Sequence, residues 1–238
     1  MKTSGIILAV FLALAASSAN IEGTAVIKKQ LTKRRVTAAV PPYQRGQGVG
    51  LAADAESDPL DAERSRVAIW LEDPIPPNVG TPAVAMTEVV RMAQENRSFV
   101  PETVVIPAGG KVSFPNLDPI FHNVFSLSKP KAFDLGNYRK GETRTVTFPK
   151  PGIVFVNCRL HPNMTGVIVV APNQWNTKAD GSGRFVLKDV PPGKYTVVAW
   201  HKAAGFFRQQ VQITAGHDLK IEFLIPLGFE DGRLQTKR

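Results

Sequence analysis

The chain carries a single cysteine, Cys158, so no internal disulfide can staple it. It has four histidines, too few to furnish a second histidine-rich metal cluster once a first site has taken its share. No G-x-S-x-G elbow is present, which removes the usual signature of serine hydrolysis. No nucleic-acid-binding motif accompanies the positive charge. Sustained helical periodicity is scarce, while proline and glycine number 19 each, so the 238 residues read as β structure with many turns. After the N-terminal segment there is no apolar run long enough to span a membrane.

That N-terminal segment, residues 1–19, reads as a secretory signal: Lys2, an apolar run from Gly5 to Ala16, then Ser17-Ser18-Ala19 as a small-residue cleavage site. No cysteine sits at the cleavage site and no twin arginine precedes the run, so Sec-type export without a lipid anchor is expected. The mature protein is then periplasmic or secreted, in an oxidising compartment where a leftover thiol calls for a reason. The formal net charge is +9, and Lys2 is the only charge the signal takes with it. A basic exported protein suits an acidic partner or an anionic surface, and complementary charge acts mainly on encounter rate. The densest cluster, Lys28-Lys29 with Lys33-Arg34-Arg35, reads as a solvated face rather than a docking patch.

The reason for the thiol lies in Cys158-Arg-Leu-His161-Pro-Asn-Met164. The apolar runs on either side, Ile153–Val156 and Val167–Val170, read as buried strands. The segment between them is therefore a tight loop, able to turn three side chains toward one point. His122 lies upstream in Phe114–Val124, expected at the end of a strand that begins near Lys111. One thiolate, two imidazoles and one thioether make the ligand set of a type 1 (blue) copper site, with His₂Cys in a plane and a weak axial Met. Soft sulfur ligands suit Cu(I), imidazoles suit both oxidation states, and strands that fix the ligands leave little to move when the charge changes. Taken singly, each residue has a plainer reading: a lone cysteine at a strand end is often a small buried hydrophobe. His201, in Ala199-Trp-His201, and His217, in Ala215-Gly-His217, have no Cys, Asp or Glu cluster beside them in sequence and read as strand-end or turn histidines.

From about Glu88 to Ala171 the chain resembles the cupredoxins, in particular plastocyanin and amicyanin. The motifs that carry this are Phe99-Val-Pro101, Ile106-Pro-Ala-Gly-Gly-Lys-Val112, Phe114-Pro-Asn116, His122-Asn123-Val124, Pro151-Gly152 and the Cys158/His161/Met164 loop. Pro162, directly after the histidine, makes the loop more like that of amicyanin. The resemblance implies a Greek-key β-sandwich binding one copper, cycling between Cu(II) and Cu(I) to carry single electrons without turning over a substrate. It implies His122, Cys158 and His161 as in-plane ligands and Met164 as the axial one. Asn123 matches the family position that hydrogen-bonds across to the cysteine loop. His161 would be the electron port, with Leu160, Pro162 and Pro119 as its apolar rim. The partner implied is another exported redox protein or a dehydrogenase. Two other functions remain open on the same residues: copper binding and delivery without redox turnover, and a structural surface protein with a vestigial cupredoxin domain.

Elsewhere, strands are expected at Thr24–Lys28 and Val67–Leu71, a long loop over Ala39–Glu63, and a stiff linker over Asp73–Gly80. Within 84–171, further strands are expected at Val89–Ala93, Thr103–Ile106, Lys111–Phe114 and Thr143–Phe148, with Lys129–Gly136 as an irregular excursion. From 172 to 230, evenly spaced short strands make a small all-β module. Its Asp180-Gly-Ser-Gly-Arg-Phe185 and Val190-Pro-Pro-Gly-Lys-Tyr195 turns resemble the carboxypeptidase regulatory-like (transthyretin-like) sandwich, a family with no catalytic residues to carry over. The opening strands of that sandwich are absent from 172–230. We therefore expect residues 20–75 to supply them, with the cupredoxin domain inserted between the two parts and 231–238 left as a tail. The fold class is all-β: a Greek-key cupredoxin sandwich plus a second, smaller regulatory-like β-sandwich.

Overall fold

The computed structural model describes residues 17–32, 58–73 and 88–226. The apolar run of the signal segment, Lys33-Arg34-Arg35, most of the expected loop from Ala39, the linker after Asp73 and the 231–238 tail lie outside the described residues. Among the described residues no helix is long and apolar enough to cross a membrane. Among the described residues the protein is all-β apart from one short helix, α1, Asp61–Arg64.

One sandwich is built from the two ends of the chain. Strand β1 (Ala19–Ile27) lies between β14 (Arg184–Val190), antiparallel, and β17 (Leu219–Ile225), parallel. The facing sheet runs β13 (Asn176–Lys178), β2 (Ala68–Leu71), β15 (Gly193–His201), β16 (Gly205–Ile213). Both strands from before residue 75 thus pair with strands from after 172. Ile21, Ala25, Ile69, Leu71, Leu187, Val197 and Phe223 fill the space between the sheets. Gly23 is needed where it stands, because a β-carbon there would run into the Phe185 ring of the neighbouring strand. Ala19, the last residue of the expected signal, is buried as the first residue of β1 and pairs with Val190.

The second sandwich holds the motif residues. Its smaller sheet is β10 (Thr143–Thr147), β7 (Lys111–Pro115), β3 (Val89–Arg91). Its larger sheet is β6 (Thr103–Pro107), β12 (Thr165–Ala171), β11 (Gly152–Asn157), β8 (His122–Ser128), β9 (Lys131–Tyr138). A hairpin, β4 (Ala93–Glu95) and β5 (Ser98–Val100), closes one end. Three sequence expectations are corrected here. Lys129–Gly136 is mostly strand: Phe133 and Leu135 pack against the core on either side of an outward Asp134, an alternation hidden between Pro130 and Gly136. His122 opens β8 rather than ending β7, because the chain turns through Asn116–Phe121 first. Val89–Ala93 divides, with Val89–Arg91 pairing with β7 and Ala93 turning to pair with β5.

A third apolar layer joins the sandwiches. Ala68, Trp70, Val198 and Trp200 from one sheet meet Val167, Val169 and Ala171 from the other, with Val105 and Ile153 at the margin. Each contributing strand is buried on both faces: in β12, Ile168 and Val170 point into one core while Val167 and Val169 point into this layer. That is why these segments read as continuous apolar runs rather than alternating ones.

Beside this layer, a buried carboxylate and imidazole fasten α1 to the end of β15. Glu63 Oε2 lies 3.1 Å from His201 Nε2 without in-line hydrogen-bond geometry. His201 Nδ1 accepts the Ala203 N–H at 3.2 Å, which requires that nitrogen to be unprotonated. Burial holds the His201 pKa below its ordinary value, against the opposing pull of Glu63. The folded protein therefore carries neutral His201, while the unfolded chain takes up a proton as pH falls through the ordinary histidine value of 6.5. The unfolded state binds more protons in that window, so stability falls with falling pH. His161 shifts in the same direction and adds to the effect. Between about pH 7.5 and about pH 5.5 the urea midpoint is expected to drop in the wild type and to drop less in His201→Gln. Equal drops would show that His201 is not the group responsible.

Candidate metal centre

His122 opens β8, and Cys158 follows directly on β11, whose Asn157 pairs with Phe125 of β8. Antiparallel pairing thus brings the two side chains to the same end of the sheet. His161 and Met164 come from the loop that joins β11 to β12. That loop is closed by its own backbone: the Met164 N–H donates to the His161 carbonyl at 2.9 Å, and the Cys158 N–H to the Met164 carbonyl at 3.2 Å.

His122, Cys158 and His161 offer ligand atoms that all lie within 4.8 Å of one another. His122 Nδ1 is 3.9 Å and His161 Nδ1 3.6 Å from Cys158 Sγ. An ion ~2.0 Å from nitrogen and ~2.3 Å from sulfur, with ~120° between the bonds, requires nitrogen and sulfur about 3.7 Å apart. The two separations bracket that value, so the residues fit a trigonal metal. His122, Cys158 and Met164 are buried, and Met164 shares its apolar cluster with Cys158. His161 is half-buried, and burial, the neighbouring His122 and the Arg97 charge hold its pKa below the ordinary histidine value despite Asp118. An imidazole that stays neutral keeps its lone pair for a metal.

The surroundings fix these groups. The Asn123 N–H donates to Cys158 Sγ at 3.4 Å, and Asn123 Oδ1 accepts the Arg159 N–H at 3.4 Å, so the residue next to His122 ties both to the sulfur and to the cysteine loop. Asn123 Nδ2 donates to Asp134 at 2.7 Å, and Arg159 donates to the same carboxylate at 3.0 Å while stacking over Phe125. The expected rim residues Leu160, Pro162 and Pro119 are exposed. Leu117 and Phe121, on the same loop as Pro119, are exposed as well and were not picked out by sequence.

Asp118 was also missed. Its Oδ2 lies 2.7 Å from Nε2 of His122, the nitrogen that faces away from the sulfur. Burial opposes ionisation of Asp118, but the Arg97 N–H, the His122 ring and the Asn96 N–H outweigh it and hold its pKa below the ordinary carboxylate range. The available signal was the Asn116-x-Asp118 turn, four residues ahead of the histidine. Of the remaining histidines, His201 is buried on Glu63 and His217 is exposed, its Nδ1 2.8 Å from the Ala215 carbonyl oxygen. Neither approaches the Cys158 group.

Fold and site define an all-β protein in which, among the described residues, a thiol and two imidazoles converge at one end of a sheet. A family model for polysaccharide lyase family 4, domain II, matches residues 165–221, from β12 into β17. This match, rather than the carboxypeptidase regulatory-like family, is what the second module finds. No curated protein matches the chain. Among solved structures, the copper-containing nitrite reductase from Thermus scotoductus is 30% identical over 35% of this chain and 22% of its own length, with a TM-score of 0.34. The chain thus spans about a fifth of that enzyme. A purple cupredoxin from Nitrosopumilus maritimus is 22% identical over 34% of this chain and 99% of its own, with a TM-score of 0.32. A reduced Cu(I) form of an amicyanin mutant is 20% identical over 44% and 98%, with a TM-score of 0.33.

Proposed function

We propose that this is an exported electron carrier in which His122, Cys158, His161 and Met164 would hold one type 1 copper. The observation that supports it most is the approach of both Nδ1 atoms to Cys158 Sγ at separations a trigonal ion requires. Bound there, copper would supply a one-electron Cu(II)/Cu(I) couple. The chain's part is to bind and to hold still. Cys158 would bind through Sγ and the two imidazoles through Nδ1, and the Asn123–Asp134–Arg159 contacts keep the cysteine loop in register with β8. Burial of Cys158 and His122 keeps bulk water from the sulfur. Half-buried His161 gives the pocket an edge toward a partner, which we take to be another exported redox protein or dehydrogenase with acidic surface. No substrate is turned over. The polysaccharide-lyase-like module acts as a scaffold, and its sheet face covers β12, the strand that follows the ligand loop.

The test is a visible spectrum of the mature protein with one equivalent of Cu(II), beside Cys158→Ala. An intense blue band is expected in the wild type, bleached by reductant and absent from the variant. A pale complex in both proteins would overturn the reading and leave copper delivery as the function to pursue.

A further inference from the structure

The Asp118 carboxylate is surrounded by donors that have no other evident use. Its Oδ1 accepts the Asn96 N–H at 2.7 Å, and its Oδ2 accepts the Arg97 N–H at 2.9 Å while facing His122 Nε2 at 2.7 Å. Asn96 and Arg97 form the β4–β5 turn, both with positive φ, 53° and 55°. Arginine is an unusual residue for left-handed backbone. The turn holds it there, and both N–H groups end on Asp118. From the other side, Asn116 Oδ1 accepts the Asp118 N–H at 2.9 Å, and Asn116 Nδ2 donates to the Ile120 and Tyr138 carbonyls. Two loops are thus built around one buried carboxylate that touches one histidine.

Resting on the copper reading above, we infer that Asp118 is a positioning residue that sets the oxidation-state preference of the centre. It holds His122 with the proton on Nε2, leaving Nδ1 free toward Cys158. Its negative charge, one imidazole ring from the ion, makes His122 a stronger donor and favours Cu(II) over Cu(I). The carboxylate is buried, so salt screens this charge little. The reaction affected is Cu(II) plus one electron giving Cu(I), with the electron supplied by a redox mediator in the experiment and by the partner protein in use.

Three measurements test it. Nitrogen NMR of metal-free wild type should find the His122 proton on Nε2; a proton on Nδ1 would overturn the positioning role whatever the variants do. Asp118→Asn keeps an acceptor oxygen but removes the charge. Its blue band should persist, while the Cu(I):Cu(II) ratio at fixed ambient potential rises about tenfold, which is about 59 mV for one electron. An intact band with an unchanged potential would overturn the charge effect. Asp118→Ala removes both functions and should lower copper affinity by about 10–100-fold; unchanged affinity counts against the positioning role. A wild type with no blue band is failure of the copper reading itself, and the metal-free NMR result separates that failure from this one.

Discussion

Val169→Asp should leave little folded protein under ambient conditions. Val169 is 1% exposed, pairs with Ile153 and Val105, and belongs to the layer of Trp70, Val198 and Trp200 between the sandwiches. Losing a buried valine costs about 1.5–3 kcal/mol. Placing an unpaired carboxylate where no water reaches adds several kcal/mol more. Against a total stability on the order of 5–15 kcal/mol, that consumes most of the margin. Phe155→Asp is the control. Phe155 lies on β11, the strand next to β12, but is 43% exposed, so its change is expected to cost under about 1 kcal/mol. Urea unfolding of both variants decides the matter. If Val169→Asp keeps the wild-type midpoint, the two sandwiches do not depend on a shared core. If it unfolds as expected, the proposed copper binding goes with it, because β12 begins directly after Met164.

The second large effect is expected at Glu63→Ala. Glu63 is 1% exposed, and its Oε1 accepts both the N–H of Thr32, at 2.9 Å, and the Thr32 hydroxyl. Its Oε2 faces His201 at 3.1 Å and Arg66 at 3.8 Å, and Arg66 reaches Glu102 of the sandwich that holds Cys158 at 2.8 Å. Removing the carboxylate leaves the Thr32 N–H and hydroxyl without their acceptor and the buried His201 ring without its facing group, at a cost of about 1–3 kcal/mol per unsatisfied group. Glu63→Gln keeps an acceptor for Thr32 and should lose less. The Glu63 pKa lies below its ordinary value: burial opposes this, and the Thr32 hydrogen bonds, His201 and Arg66 outweigh it. Its stabilising charge is therefore present above the ordinary glutamate value of 4.5 and lost as pH falls below it. Calorimetric melts of wild type and both variants at neutral pH test this. Equal melting temperatures for Glu63→Ala and wild type would show that the cluster adds nothing.

The residues most legible in sequence were those whose chemistry is rare. One cysteine, with a histidine three residues on and a methionine three residues further, stands out in any chain, and the structure brings Cys158, His161 and His122 together. Asp118 was not legible, because an aspartate in a proline-rich loop is ordinary until its distance to His122 Nε2 is known. Glu63 and His201 are 138 positions apart in the numbering, and nothing local marks either. Strand β9 was missed because Pro130 and Gly136 made a turn-like frame around an alternation of only two inward residues.

By itself, the sequence determined the all-β class, the strands flanking the ligand loop, and a donor set whose softness points to copper. These follow from local composition and from spacings within one loop. Tertiary structure alone decided how the strands of the chain ends pair, why β12, β2 and β15 are apolar on both faces, and which carboxylates face which histidines. Those facts depend on sheets packing across long sequence separations, where the relevant quantity is a distance in space.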